Sequence, residues 1–259
     1  MNLIKKFLTQ NDCYKTNRTI AVKGLMLHSV GCPQPKAEVF LKNWNRSDVE
    51  ACVHAFIDGN TGTVYQTLPW NHRGWHGGGK SNNTHIGVEM CEPATIRYTG
   101  GASFKDLDPV ATKKVVLRTY NAAVELFAFL CEEYNLNPLT DIISHSEGHA
   151  LGIASGHADP EHLWKSFGLS MNAFRNAVQA QMKKGGEVAP VKPENATQGE
   201  FRVKVTASVL NIRSGAGMTF PVVGTIRDKG VYTIIEQNGT WGRLKSKVGW
   251  IHLDYTKKV

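Results

Sequence analysis

Cysteine is scarce and odd in number. Cys13, Cys32, Cys52, Cys91 and Cys131 are the whole set, none in C-x-x-C spacing. That excludes a complete disulfide framework and a thiolate zinc finger, and leaves reduced, mostly buried thiols as the expectation. Long apolar runs are missing as well, since no stretch reaches the roughly 18 residues of a membrane span. The opening MNLIKKFLTQND carries charge, but no run of about 7–15 apolar residues follows, so no secretory leader is expected and synthesis in the cytoplasm is. Net charge is nearly absent from residues 1–182, where 17 Lys and Arg face 16 Asp and Glu. Residues 201–259 hold 10 against 3, a net of +7 out of +8 for the chain. A field of that sign attracts polyanions. The basic residues are scattered along short strands with no recognition motif, so nucleic acid is not the expected partner.

What is present divides into three parts. Residues 1–182 alternate strand and helix signals. LMLHS (25–29) has the continuous apolar character of a covered central strand. VHAFID (53–58) and TVYQTL (63–68) flank a Gly-Asn-Thr-Gly hairpin signal, and HIGVEMCE (85–92) is a further strand. Asp108-Pro109 opens a helix to about Tyr134 whose Val116, Tyr120, Val124, Phe127 and Cys131 share one face. Ser170 caps another over MNAFRNAVQAQM. This interleaving predicts an α/β domain with a mixed central sheet flanked by helices. Residues 183–200 (KKGGEVAPVKPENATQGE) lack apolar periodicity and read as a linker. Residues 201–259 are short β-rich runs separated by turns at Gly215–Gly217, Asp228–Gly230 and Asn238-Gly239, the pattern of a small barrel.

Chemistry concentrates in Ile142–Pro160 (IISHSEGHALGIASGHADP), with three histidines and two carboxylates among small residues. Imidazole and carboxylate are ordinary zinc ligands and acid/base groups. His145 and His149 are four apart, but the glutamate is displaced from the H-E-x-x-H position and Gly148 disfavours a helix. The reading is therefore a strand, Ile142-Ile143, that delivers His145 at its end, with Asp159 returning from a loop. Two ligands leave a catalytic zinc one short. His28, closing the apolar LMLH, is the best candidate for the third.

The set LMLHS, GTVYQTLPWNHRGWHGG, NNTHIGVEM and HADP resembles the zinc-dependent N-acetylmuramoyl-L-alanine amidases of type 2. These are peptidoglycan hydrolases related to the phage lysozyme-type amidases and the peptidoglycan recognition proteins. The resemblance covers about residues 20–165. It implies Zn²⁺ held by His28, His145 and Asp159, with Glu89 of HIGVEM as general base. His157 stands where many relatives carry an oxyanion-stabilising lysine, and histidine can donate the same hydrogen bond. His76 matches a cleft histidine expected to contact substrate, with Trp75 and Asn82 or Asn83 as neighbours. His72, His149 and His162 are expected to be cleft-lining or surface histidines, with His149 and Glu147 bystanders to the chemistry. Further along, LNIRSG, VG, WGR and GWI, between about 203 and 256, resemble bacterial SH3-like wall-binding domains.

Together these imply a zinc amidase (1–182), a linker (183–200) and an SH3-like module (201–259). The implied partners are bacterial peptidoglycan and, through the basic module, anionic wall polymers. The absence of a leader fits a phage or prophage endolysin, made in the host cytoplasm and acting on the wall; a bacterial autolysin is the alternative. Two other readings remain open. A non-catalytic wall-binding protein on the same fold would lack a zinc ligand, and a stem-peptide hydrolase would need either a different zinc motif or a catalytic cysteine–histidine pair, for which Cys32 and Cys91 lie in the catalytic half of the chain.

Overall fold

The computed structural model describes residues 1–185, 200–213, 215, 222–238 and 240–259. Residues 186–199 of the predicted linker, and parts of the turns expected at 215–217 and 238–239, lie outside that set. The chain divides into two compact units, Met1–Glu187 and Val188–Val259.

The first unit contains, in order, β1 (Leu3–Lys5), α1 (Asp12–Lys15), β2 (Gly24–Ser29), α2 (Ala37–Trp44), β3 (Ala55–Ile57), β4 (Val64–Gln66), β5 (His85–Met90), β6 (Ile96–Gly100), β7 (Ser103–Asp106), α3 (Pro109–Tyr134), β8 (Ile142–Ser144), α4 (His145–Ala150), α5 (Glu161–Trp164) and α6 (Met171–Gly185). Its sheet runs β1-β4-β3-β5-β2-β8. Strand β2 lies parallel to both β5 and β8, while β3 and β4 form the antiparallel hairpin that the Asn60-centred turn predicts. All six residues of β2 are buried, as a strand covered on both faces requires.

Alternation sorts the side chains. Leu25 and Leu27 of β2 and Ile86 and Val88 of β5 join Val116 and Phe127 of α3 and Phe174 of α6 in the main core. Met26 and His28 therefore face the other way, and the register sets His28 beside Glu89 and Met26 beside Gly87. Asp108 caps α3, its Oδ1 accepting from the Ala111 N–H at 3.0 Å, with Pro109 first in the helix. A second apolar cluster, Phe40, Val53, Phe56 and Cys91 among it, seals the region under α2. All five cysteines are free thiols.

Six features of this unit escape the sequence reading: edge strand β1, the short helices α1, α2 and α5, the β6–β7 hairpin and helix α4. The last is a correction, because residues 145–150 were expected not to be helical. Ser144 and Glu147 form a capping box, with the Glu147 N–H donating to Ser144 Oγ and the Ser144 N–H to Glu147 Oε2, both at 3.0 Å. Two satisfied N-terminal amides outweigh one glycine's propensity.

The second unit contains β9 (Phe201–Val205), β10 (Leu210–Arg213), β11 (Val222–Ile226), β12 (Val231–Asn238), β13 (Trp241–Leu244), β14 (Trp250–His252) and β15 (Thr256–Lys258). They form one antiparallel sheet, β11-β10-β14-β13-β12-β9-β15, around a core that includes Val203, Val205, Leu210, Ile212, Ile234 and Ile251. An all-β module of this size is what the spacing of its turns predicts.

Candidate metal and active site

The parallel strands β2, β5 and β8 end on the same side of the sheet, where crevices of open α/β folds form. There, His28 closes β2, Glu89 sits near the end of β5, and His145 follows β8 as the first residue of α4. A cavity of about 530 Å³ opens at this edge, its lining including Glu89, His145, His157 and Asp159.

Among the described residues, His28, His145 and Asp159 form a group able to hold a metal ion. His28 Nδ1 lies 3.0 Å from His145 Nδ1 and 3.3 Å from Asp159 Oδ2, and His145 Nδ1 lies 3.6 Å from Asp159 Oδ1. The edge of a tetrahedron of ligands around zinc is about 3.3 Å, so the donor set has the right size.

Proton bookkeeping points the same way. The His85 carbonyl can only accept, so the 3.1 Å contact from His76 Nε2 carries the His76 proton. His76 Nδ1 is then a bare acceptor, and the 3.0 Å contact from His28 Nε2 must carry the His28 proton. Likewise Ser155 Oγ donates to the Gly77 carbonyl, so it accepts from His145 Nε2–H at 3.1 Å. Both Nδ1 atoms therefore present lone pairs to one point, shared with a carboxylate. Three such acceptors are stable together around a cation and repel one another without it. Each ligand is also oriented from behind, His28 by His76, His145 by Ser155 and Asp159 by the Ser29 N–H at 3.3 Å, as metal ligands ordinarily are. Burial lowers the pKa of His28 and keeps it in the neutral, ligating form.

Glu89 reaches the cavity beside His28, and its Oε2 is buried with no hydrogen-bond partner among the described residues. Burial, then the nearby Asp159 and Glu92 carboxylates, raise its pKa well above the usual carboxylate range. A carboxyl so held binds a proton more readily than an exposed one, which suits a general base and acid. His157 is exposed at the cavity mouth, its Nδ1 3.4 Å from His145 Nδ1.

Two expected substrate contacts are not brought here. His76 lines the cavity, but the preceding Trp75 points to the opposite side of the extended segment, as alternation dictates. Trp75 is exposed in a separate cavity of about 340 Å³, with the Arg73 guanidinium 4.6 Å from its ring. Asn83 Oδ1 is occupied by Arg18 and Arg73, at 3.1 and 3.0 Å. Asn82 instead shapes the loop, accepting from the His76 and Gly77 N–H groups at 2.9 and 2.8 Å. His162, expected to line the cleft or lie at the surface, lines the cavity together with Tyr98, and both contact the buried Glu92. Glu147 and His149 stay outside the cavity lining, and Glu147 pairs with Arg175.

Residues 17–162 match the family model of N-acetylmuramoyl-L-alanine amidase, and residues 208–257 match that of the bacterial SH3 domain. A curated relative, the N-acetylmuramoyl-L-alanine amidase BlyA of Bacillus subtilis, is 25% identical over 199 residues. The match covers 71% of this chain and 51% of BlyA, so the chain spans about half the length of that relative. Among solved structures, the Staphylococcus aureus hydrolase AmiA has a TM-score of 0.52 at 20% identity, covering 74% of this chain and 88% of its own. A mutant of PlyL has a TM-score of 0.51 at 21% identity, covering 70% and 99%. The catalytic domain of XlyA has 0.50 at 19%, covering 69% and 99%. At these identities the structures establish a shared fold. With more than half of its residues matched to the family model, the chain belongs to the N-acetylmuramoyl-L-alanine amidase family.

Proposed function

We propose that this chain hydrolyses the amide between the lactyl carbonyl of N-acetylmuramic acid and L-alanine of the stem peptide. The observation that carries the reading is the convergence of two bare imidazole nitrogens and a carboxylate beside an unpartnered Glu89. His28, His145 and Asp159 would hold Zn²⁺, whose chemistry when bound is to polarise a carbonyl and lower the pKa of water. Glu89 takes the proton as water adds to the lactyl carbon, then gives it to the alanine nitrogen as the C–N bond breaks. His157, at the cavity mouth, donates a hydrogen bond to the oxyanion formed on the former carbonyl. The reading that the fold serves only to bind peptidoglycan is disfavoured by the complete ligand set and the adjoining carboxyl.

In this proposal residues 1–182 are catalytic, 183–200 link and 201–259 bind the wall. Exposed Tyr255 packs on His252, which in turn packs on the buried Trp241, and offers the SH3-like module an aromatic contact surface. The net +7 of residues 201–259 adds attraction for anionic wall polymers. No helix among the described residues is long and apolar enough to cross a membrane. A catalytic unit joined to a wall-binding unit suits an endolysin that acts on the cell wall.

Digestion of purified walls tests the reaction. New N-terminal alanine should appear without new reducing sugar ends; the reverse result would identify a glycosidase. His28→Ala should lose both zinc and activity. Glu89→Gln should keep zinc and lose activity, and full activity in that variant would remove Glu89 from the mechanism.

A further inference from the structure

A second buried carboxylate lies behind the site, and the mechanism above does not use it. Glu92, just past the end of β5, is 1% exposed. Its Oε1 accepts from the Ser29 hydroxyl at 2.6 Å and from the Gly31 N–H at 3.2 Å. Its Oε2 accepts from the Tyr98 hydroxyl at 2.7 Å. Tyr98 has then spent its proton, so its 2.6 Å contact with His162 Nε2 is an N–H donated by the histidine. Four segments meet on this carboxyl: the end of β2, the glycine turn after it, the β6–β7 hairpin and α5, which starts two residues after Asp159. Gly31 has φ +63, a left-handed conformation that glycine adopts without penalty, and this aims its N–H at Glu92.

Ser29 is the link to the metal centre. Its hydroxyl is held by Glu92, while its backbone N–H donates to Asp159 Oδ2. A buried carboxylate without its donors would be costly, so this geometry is maintained only if all of them stay in place. Resting on the metal-centre reading, we infer that Glu92 is a positioning residue for Asp159, acting through Ser29 and the Gly31 turn. It fixes the backbone donor that orients the carboxylate ligand, and through Tyr98 and His162 it clamps the hairpin and helix that form one wall of the cavity.

Zinc affinity tests this without reference to wall digestion. The full chain and its variants are titrated with zinc against a chromophoric chelator, with circular dichroism to confirm folding. Loss of such an outer partner costs about 10–100-fold in metal affinity, so Glu92→Ala should weaken zinc binding by about tenfold or more. Glu92→Gln keeps an acceptor for Ser29 and Gly31 and should recover most of that loss. Ser29→Ala should weaken binding in the same direction, and Ser29→Ala with Glu92→Ala should be no weaker than Glu92→Ala alone, since both break one link. If Glu92→Ala does not fold, Ser29→Ala decides. Folded variants that bind zinc like the wild type, or equal losses for alanine and glutamine at position 92, overturn the inference. A wild type that takes up no zinc at all removes the metal-centre reading, and this inference falls with it.

Discussion

At the scale of single residues, the centre depends as much on what stands behind the ligands as on the ligands. His76 can orient His28 only because Gly87 leaves room for it: a Cβ there would lie 2.4 Å from His76 Cγ and 2.5 Å from its Nδ1. Gly87→Ala should therefore displace the His76 ring and weaken zinc binding by about tenfold, with the fold retained. Chelator competition measures this, and an unchanged affinity would show that His28 needs no support from His76. His54, 5.8 Å away ring to ring, reports on the same layer. Its Nε2–H donates to the His72 carbonyl and its Nδ1 accepts from the Gly87 N–H, so the neutral ring is the one that fits. Burial lowers its pKa to about 4. Between about 6.5 and about 4 the unfolded chain takes a proton that the folded chain refuses, so His54 costs stability as pH falls through that window, roughly 3 kcal/mol in full, and none above it. Its imidazole carbon resonances should stay constant from pH 7 to 5.5, and a midpoint near 6.5 would contradict the buried neutral ring. His28 was readable because a polar residue closing an apolar strand is conspicuous. Ser155, Glu92 and Tyr98 carry no such sign; Tyr98 meets His162 across 64 positions and Ser155 meets Gly77 across 78, distances no local pattern spans.

Among elements, those with strong periodicity or clear caps read well from sequence. Helix α3 starts at the proline that follows Asp108, and every residue of its expected core face is buried. The miss at α4 is instructive, since S-x-x-E is itself a helix-start pattern and stands at Ser144–Glu147. Gly148 weighed against a helix on propensity alone, while the cap and the junction with β8 decided the outcome. Strand β1 and the β6–β7 hairpin are short and partly exposed, so they lack the apolar alternation that marks a strand. The cap has consequences for the site. Ser144 Oγ accepts from Glu147 and donates to Glu161 Oε2 at 2.7 Å, tying the helix that presents His145 to the one that follows Asp159. Ser144→Ala should cost about 1–2 kcal/mol in urea unfolding of the metal-free chain, with Ser144→Thr recovering most of it. A loss much smaller than that would mean α4 is held by packing and not by its cap.

For the whole molecule, each of the two units has its own apolar core. The first unit has its apolar layers around the six-stranded sheet, and the second unit has a separate cluster on its seven strands. Each of these clusters is built from described residues of its own unit, as a unit able to fold alone requires. The charge is divided too, nearly balanced over residues 1–182 and net +7 over 201–259. Reach to a polymeric substrate and turnover of it should then be separable. A chain ending at residue 187 should hydrolyse a soluble muramoyl-peptide at close to the full rate while adsorbing poorly to intact walls. If anionic polymers contribute, adsorption of the full chain should weaken as salt rises from about 0.05 to 0.5 M, because screening shortens the reach of the basic module's field. Hydrolysis of the soluble fragment should be far less sensitive to the same change, since the cavity's charges act at contact distance and are partly buried. Sedimentation with purified walls at several salt concentrations, beside an assay on the soluble fragment, measures both. Salt-insensitive adsorption would assign the attraction to aromatic contacts such as those around Tyr255, and parallel loss of adsorption and soluble turnover on truncation would show that the two units act as one.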